Sequence, residues 1–343
     1  MVDLVKKDAA GIGDDGLDGS ARLNKPDSGS AHVPEADRAP QFSVIIPAYN
    51  RVDQIGRAIA SCLAQTCPDF EIIVVDDGSR DGTADAVEAM DDPRIRCIRQ
   101  ANAGASAARN TGARAARGSY LAFLDSDDEF LPSKLERLSA AIQADGQAEG
   151  QADRTVWYSP LFFDRGPGNR MIKPDRAIGP DEPVGDYLFA DDGLMQTSTL
   201  VIPRALFLQV GFDTGLRCLE DLDLCLRLEE AGARFRMLPD PEVIWYDDRP
   251  SGRLSYTTSQ SEVREWAARQ AGRLTPRAMH GYLARFLVPQ IARQQPFRSL
   301  SLLASAVRHG GLAPRRAAML LARGAAPGLY GRVRDTLTRT RHG

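Results

Sequence analysis

The sequence predicts an α/β protein: a sheet, parallel in its first half and mixed beyond, with helices on both faces and a helical C-terminal extension. Three observations predict it. Between residues 42 and 124, short apolar runs alternate with segments whose apolar residues recur at helical spacing, the pattern of a parallel sheet covered on both sides. Three of those runs end in polar clusters, Pro47-Ala48-Tyr49-Asn50, Asp76-Asp77 and Asp125-Ser126-Asp127-Asp128. In open α/β sheets, ligands bind beyond the carboxyl ends of the strands. From about residue 260 the chain becomes Arg-rich and helical in pattern.

The elements follow in order. Residues 1–40 are rich in Gly, Asp, Ser, Ala and Pro and contain no aromatic ring, so they bury too little apolar surface to order themselves and read as a disordered tail. Phe42 to Ile46 is a buried strand, ended by Pro47. Ile55, Ile59, Cys62 and Leu63 share a helical face. Phe70 to Val75 is a second strand, and a helix follows Gly82-Thr83. Ile95 to Ile98 is a third strand. Ala103 to Arg117 is an Ala-rich helix closed by Gly118. Tyr120 to Leu124 is a fourth strand, and Pro132 opens another helix at its favoured first-turn position. After Gly150 the pattern changes: Val156 to Phe163 and Met195 to Ile202 read as strands of a mixed region. Leu219, Leu222 and Leu226 mark a helix running to Gly232. Phe235 to Leu238 and Val243 to Tyr246 are short strands. The organisation is a tail (1–40), a main domain (41–255, in halves 41–130 and 131–255) and an Arg-rich helical region (256–343).

Of the 343 residues, 43% are hydrophobic and 26% charged, which excludes a wholly disordered or collagen-like chain. No apolar run approaches the roughly 18 residues that span a bilayer. The first twenty residues lack the apolar centre of a secretory leader. Five cysteines, an odd number scattered at 62, 67, 97, 218 and 225, fit reduced thiols and a cytoplasmic location. No Cys/His spacing suggests zinc, and the histidines stand at 32, 280, 309 and 342, outside the acidic clusters. Net charge is −3, yet from Arg264 onward fifteen arginines face only Glu265 and Asp335, a net of +13 that leaves −16 for residues 1–263. A basic tail on an acidic body points to an anionic partner, either a membrane surface on whose inner face the protein would be peripheral, or nucleic acid. Sparse aromatic residues argue against nucleic acid. The alternative is that Arg simply solvates these helices or packs them on the main domain.

Asp77, Asp125, Asp127 and Asp128 at one sheet edge would repel one another unless some were protonated or a cation joined them. Oxygen ligands without His or Cys select magnesium or manganese, and a magnesium site usually takes one or two carboxylates, completed by water and substrate phosphate. The residues therefore read as a metal–diphosphate site. Helix capping explains one Asp and not three, although Asp-Gly-Ser after Asp76 is also ordinary turn chemistry.

These segments carry a resemblance. Val44-Ile45-Ile46-Pro47-Ala48-Tyr49-Asn50, Val74-Val75-Asp76-Asp77-Gly78-Ser79-Arg80-Asp81-Gly82-Thr83, Asn102-Ala103-Gly104-Ala105-Ser106-Ala107-Ala108-Arg109-Asn110 and Phe123-Leu124-Asp125-Ser126-Asp127-Asp128 stand in the order of the signature of glycosyltransferase family 2. Gly211-Phe212-Asp213, Glu220-Asp221-Leu222-Asp223-Leu224 and Arg227-Leu228 resemble its acceptor-side motif, so the resemblance spans about residues 42–250. It implies a GT-A-type, Rossmann-like mixed sheet with a nucleotide-sugar-binding half (41–130) and an acceptor-binding half (131–255). It implies a nucleoside-diphosphate sugar as donor, a glycan or lipid-linked glycan as acceptor, and synthesis of surface polysaccharide or glycolipid. Carried over by position, Pro47, Tyr49 and Asp77, with Asn50 and Asp76 beside them, match the pocket for the donor's base. Asp125 matches the first acid of the family's D-x-D, near the ribose, and Asp127 its Mg2+ or Mn2+ ligand. Arg109 would lie near the diphosphate or support the acidic cluster. Asp221 looks like the general base, with Glu220 beside it. The implied reaction is direct displacement at the anomeric carbon, which inverts it.

One departure stands out. Many members have a His downstream of the Glu-Asp motif, near Trp245-Tyr246-Asp247-Asp248-Arg249-Pro250-Ser251, and none is present here; Asp247 or Asp248 could substitute as an oxygen ligand. Competing readings fare worse. A phosphatase with a D-x-D nucleophile needs Thr or Val where Glu129 stands. A nucleotidyltransferase or a dinucleotide dehydrogenase needs a Gly-rich loop after the first strand, where Pro47-Ala48-Tyr49-Asn50 is found. The remaining alternative is a catalytically silent nucleotide-sugar-binding scaffold, against which Asp127 and Asp221 both stand.

Overall fold

The first four apolar runs become a sheet because each is flanked by a helix that covers it. In the computed structural model, which describes residues 38–149, 152–166, 168–247 and 258–326, they form β1 (Phe42–Ala48), β2 (Phe70–Asp76), β3 (Ile95–Arg99) and β4 (Tyr120–Phe123), joined by α1 (Val52–Leu63), α2 (Thr83–Glu88) and α3 (Ala105–Ala115). Then come β5 (Glu129–Phe130), α4 (Lys134–Glu149), β6 (Thr155–Tyr158), β7 (Leu161–Asp164), β8 (Arg170–Lys173) and α5 (Val184–Phe189). They are followed by β9 (Val201–Pro203), α6 (Arg204–Val210), α7 (Glu220–Glu230), β10 (Arg234–Met237) and β11 (Val243–Tyr246). The Arg-rich region supplies α8 (Gln260–Arg269), α9 (Pro276–Phe286), α10 (Val288–Ile291), α11 (Pro296–Arg308) and α12 (Pro314–Ala325).

The main sheet runs β10-β6-β9-β4-β1-β2-β3. It is parallel except for β9, which is antiparallel to both β4 and β6. A second sheet runs β5-β11-β7-β8. Period-two alternation sends Ile45, Ile73, Val75, Leu121 and Phe123 into one core layer, with residues of α3, α5, α6 and α7. Val44, Ile46, Ile72, Val74 and Ala122 enter the other, with Ile55 and Ile59 of α1 and Leu135 and Leu138 of α4. The mixed sheet with helices on both faces is thus the expected fold. At Gly112 of α3 a Cβ would sit 2.6 Å from Ile45 Cγ2 and 3.2 Å from Val75 Cγ2, so only glycine lets this helix lie so close to β1 and β2.

Several expectations need correction. β1 runs through Pro47 to Ala48, because on the β4 side the ladder has already ended at Phe123 and no donor is needed from Pro47. Val156 to Phe163 is not one strand: Ser159-Pro160 breaks it into β6 and β7, which belong to different sheets. Met195 to Ile202 is mostly irregular, with a 3-10 turn at Thr197–Thr199 and only Val201–Pro203 extended. Pro132 stands two residues before α4, and the strand β5 just ahead of it carries too few residues to show a period. Residues 1–37, on which nearly all of the expected tail falls, and Asp248 lie outside the described residues.

α8 and α9 bury Val263, Trp266, Ala278 and Tyr282 in the same core layer as β1 and β4. Phe189 of α5 anchors them, its ring centroid 5.6 Å from Trp266 and 5.3 Å from Tyr282, both edge-on. The five cysteines are all free, buried or half-buried thiols. Trp157 and Trp266 are core residues, whereas half-buried Trp245 meets the ring of Phe163 edge-on at 4.6 Å.

Candidate active site

β1 pairs in parallel with both β2 and β4, with Ala48 opposite Asp76 and Ile45 opposite Phe123, so the three polar strand ends meet at one edge. The first two loops are knitted together. Asn50 adopts a left-handed backbone (φ 52°), which Asn tolerates better than most residues. Its Oδ1 accepts the Arg80 N–H at 2.9 Å and its own N–H donates to Ser79 Oγ at 2.8 Å. Above buried Pro47, Tyr49 is 46% exposed and presents its ring to solvent.

Asp77 is buried and its carboxylate is committed. Oδ1 accepts Gln100 Nε2 at 2.7 Å and the Ala103 N–H at 2.9 Å, and Oδ2 accepts the Gly104 N–H at 2.8 Å. Gly104 is left-handed (φ 91°) and starts α3, so Asp77 ties the β3–α3 loop across the end of β2. Asp76 Oδ2 accepts the Ser79 N–H at 3.2 Å, while its Oδ1 is a buried acceptor without a partner among the described residues.

The second cluster is organised by Arg109, a buried side chain of α3. Nη2 donates to Asp125 Oδ1 at 2.7 Å and Nη1 to Glu220 Oε1 at 3.1 Å, and the guanidinium lies 5.1 Å from the Phe212 ring centroid. Burial works against its charge, but Asp125 and Glu220 outweigh it and raise its pKa further. Arg109 and Glu220 are 111 residues apart in sequence. This one guanidinium therefore brings the loop after β4 against the start of α7.

The expected crowding of carboxylates is relieved by the protein itself. Asp125 Oδ2 and Asp128 Oδ2 each accept from Gln196 Nε2 at 3.1 Å, and Asp128 Oδ2 also accepts Ser198 Oγ at 2.7 Å. Asp77 is held elsewhere, by the loop described above. Arg57 of α1 donates to the Asp127 carbonyl at 2.6 Å, pairs with Glu129 at 3.1 Å and lies 4.0 Å from the centroid of the Tyr246 ring. Gln100, Gln196, Ser198 and Arg57 were not anticipated, since no motif or period distinguishes them.

Lys134 was missed for the same reason. It is fully buried, with Nζ 3.3 Å from the Ser198 carbonyl, 3.4 Å from that of Thr199 and 4.6 Å from the centroid of the Phe130 ring. Burial pushes its pKa down to about 7, against the pull of Glu242. Its folded-state pKa lies below the unfolded value, so its charge costs stability below about pH 7, and that cost fades between pH 7 and 10. Lys134→Met should therefore flatten the rise of stability with pH across that window, as read from urea midpoints at constant salt. An unchanged slope would place the amine in a wetter environment than this.

α7 opens with Leu219 left-handed (φ 64°), a conformation that costs a non-glycine residue roughly 1–2 kcal/mol. Glu220 and Asp221 follow in the first turn. A helix N-terminus by itself favours an ionised carboxylate. At Asp221 burial, with Glu220 beside it, instead raises the pKa to about 7, against the opposing N–H of Leu222 and Arg109. Desolvation here exceeds the partial charge of the helix end.

Among the described residues no group of three His, Cys, Asp or Glu could cage a metal ion. Oxygen donors alone stand at this edge, the chemistry of a magnesium or manganese site that takes one carboxylate and completes its shell with water and phosphate, and Asp127 is the residue that would supply it. Asp247, considered as a stand-in for the missing His, accepts from Arg165 Nε at 3.3 Å.

Comparison with known proteins agrees with this geometry. Residues 43–174 match the family described as glycosyl transferase family 2. The amylovoran biosynthesis glycosyltransferase AmsB of Erwinia amylovora is 32% identical over 207 residues, 58% of this chain and 67% of its own length. The chain belongs to glycosyltransferase family 2. The succinoglycan biosynthesis protein ExoO of Rhizobium meliloti is 45% identical over 114 residues, a third of each chain. S. aureus TarS residues 1–349, solved with UDP-GlcNAc, superimposes with a TM-score of 0.57 at 18% identity, covering 87% of this chain and 89% of that one. That likeness shows the GT-A-type fold. As a family 2 member the protein is a glycosyltransferase, an enzyme. No helix among the described residues is long and apolar enough to cross a membrane.

Proposed function

We propose that the protein is a metal-dependent inverting glycosyltransferase that moves a sugar from a nucleoside-diphosphate sugar to an acceptor hydroxyl. The observation that carries this reading is the Arg109 bridge, which sets the Asp125-Ser126-Asp127 loop beside Glu220-Asp221. Donor recognition and proton abstraction need such groups within one substrate's length.

In this reading Tyr49 stacks on the donor's base, with Pro47 and Asn50 shaping the pocket and Asp76 and Asp77 at its polar side. Asp125 faces the ribose. Magnesium or manganese held through Asp127 would screen the charge that develops on the leaving diphosphate. Asp221 accepts the acceptor's hydroxyl proton as the oxygen attacks the anomeric carbon, and Glu220 with Arg109 holds that carboxyl in place. Attack opposite the departing diphosphate inverts the centre. TarS, which shares the fold, has been solved with UDP-GlcNAc and with UDP, which supports a nucleotide-sugar donor. The names of AmsB and ExoO support an acceptor from a surface polysaccharide or glycolipid, a glycan or lipid-linked glycan.

The test is binding of a panel of nucleotide sugars with and without manganese. Asp127→Ala should weaken metal-dependent binding by more than the roughly 10–100-fold that loss of an outer-shell partner costs. Binding that persists unchanged in Asp127→Ala would remove Asp127 from the metal's shell. Failure of every nucleotide sugar to bind the intact chain would remove the donor site, and with it the silent-scaffold alternative. Binding with no turnover under any acceptor would favour that alternative.

A further inference from the structure

The folded C-terminal region sorts its arginines into two groups. Those at 273, 277, 285 and 316, in the loop before α9, on α9 and at one position of α12, are structural. Arg273 pairs with Glu230 at 3.0 Å, Arg277 with Asp191 at 2.5 Å and Arg285 with Asp192 at 2.5 Å, and Arg316 also reaches Asp192. The pairs to Asp191 and Asp192 clamp the region to the loop after α5, and Arg273 ties it to the end of α7. The second group comprises Arg293 just before α11, Arg298 and Arg308 on α11, and Arg315 and Arg323 on α12, all exposed. Arg293 donates to the Ala325 carbonyl and Arg298 to the Gln295 amide oxygen, and none of the five has a carboxylate partner among the described residues. None can be supplied locally, because residues 266–326 contain no Asp or Glu at all.

The apolar residues on the same two helices show the same division. α11 and α12 bury one side in a shared cluster around Leu303, Ala306, Leu312 and Ala317. Their opposite sides carry large apolar groups in water: Phe297 is 85% exposed, Leu300 48% and Met319 44%. On α11, Phe297, Leu300, Ala304 and Arg308 fall at i, i+3, i+7 and i+11 and share one stripe. On α12, Arg315, Met319, Ala322 and Arg323 share another.

We propose that the outer faces of α11 and α12 bind the surface of an anionic phospholipid bilayer, with Phe297, Leu300 and Met319 entering the interface and the five unpaired arginines meeting lipid phosphates. Charge complementarity selects this occupant. A second copy docking on the same face would set unpaired arginines against unpaired arginines. A nucleic acid would use the arginines and could stack a base on Phe297, but would leave Leu300 and Met319 in water. An anionic bilayer satisfies both, since each basic residue near such a surface adds to binding and an apolar side chain adds insertion. The inference rests on this surface alone and not on the donor site. It deepens the proposed function by bringing the enzyme to the plane where a lipid-linked acceptor would lie.

The test is flotation of the full chain with phosphatidylcholine vesicles, with and without phosphatidylglycerol. Binding should require phosphatidylglycerol and weaken as salt rises. Arg308→Glu combined with Arg315→Glu should lower partitioning at least about tenfold, and Phe297→Ser, which removes the apolar group without changing the charge, should lower it with the same salt dependence. Nucleotide-sugar binding measured without vesicles should be equal in all these variants, which shows that they fold and separates this outcome from failure of the donor site. Equal partitioning onto neutral vesicles, or none onto anionic ones, would overturn the proposal. So would self-association of the chain that Phe297→Ser abolishes.

Discussion

Asp221→Asn should lower turnover by about 10²–10⁴-fold and leave donor affinity nearly unchanged. The amide keeps the shape of the side chain but cannot take a proton. Because Asp221 titrates near 7, a base in this position predicts that wild-type turnover at saturating donor rises with pH through about 7 and then levels. The same shift has a consequence for stability. The folded-state pKa lies above the unfolded value, so the group binds a proton more tightly in the fold than in the open chain. Its ionisation therefore costs stability once pH exceeds about 4, and the full cost is present above about 7. Asp221→Asn should accordingly be more stable than wild type at pH 8, by on the order of 2 kcal/mol, and should lose that advantage toward pH 4. Denaturant midpoints at the two pH values measure it. An amide variant that is inactive but gains no stability at pH 8 would mean the carboxylate is better solvated than its setting implies.

Replacing Arg109 has the opposite sign. Arg109→Met fills most of the volume but leaves Asp125 and Glu220 facing each other without the cation between them, and loss of one partner of a buried charge network costs about 3–5 kcal/mol. Arg109→Lys should recover less than half of that, since a single ammonium cannot span both carboxylates as the guanidinium does at 2.7 and 3.1 Å. Urea unfolding gives both values. The Met variant should also lose turnover through displacement of Glu220-Asp221, so the two effects should fall together across the series. Wild-type stability in Arg109→Met would mean the bridge is dispensable to the fold.

The asymmetry between these variants follows from where each charge sits. Asp221 is held in an environment that disfavours its ionised form, as groups poised for proton transfer commonly are. Arg109 is a cation whose burial is tolerable only because two carboxylates meet it.

Much of this protein is legible in local pattern. The alternation of apolar runs with helical periods specified the strands β1 to β4 and the helices between them, because each buries its own residues at its own period. The polar strand ends specified the site's location, since parallel pairing leaves them nowhere else to go. The motif residues Asp76, Asp77, Asp125 and Asp127 were readable as candidates in the same way, and Glu220 and Asp221 through the family resemblance. Tertiary contact decided what those carboxylates do. Asp77 closes a loop with Gln100 and Gly104, and Asp125 and Asp128 share Gln196 and Ser198. Asp221 is pushed up by burial rather than held ionised by its helix. Contact also decided which arginines of the C-terminal region are structural and which stand unpaired. Periodicity reports which residues are buried. It carries no information about which polar groups from distant segments will share a hydrogen bond or lose their water, and at this site desolvation raises Asp221 while pairing with Asp125 and Glu220 holds the charge of Arg109.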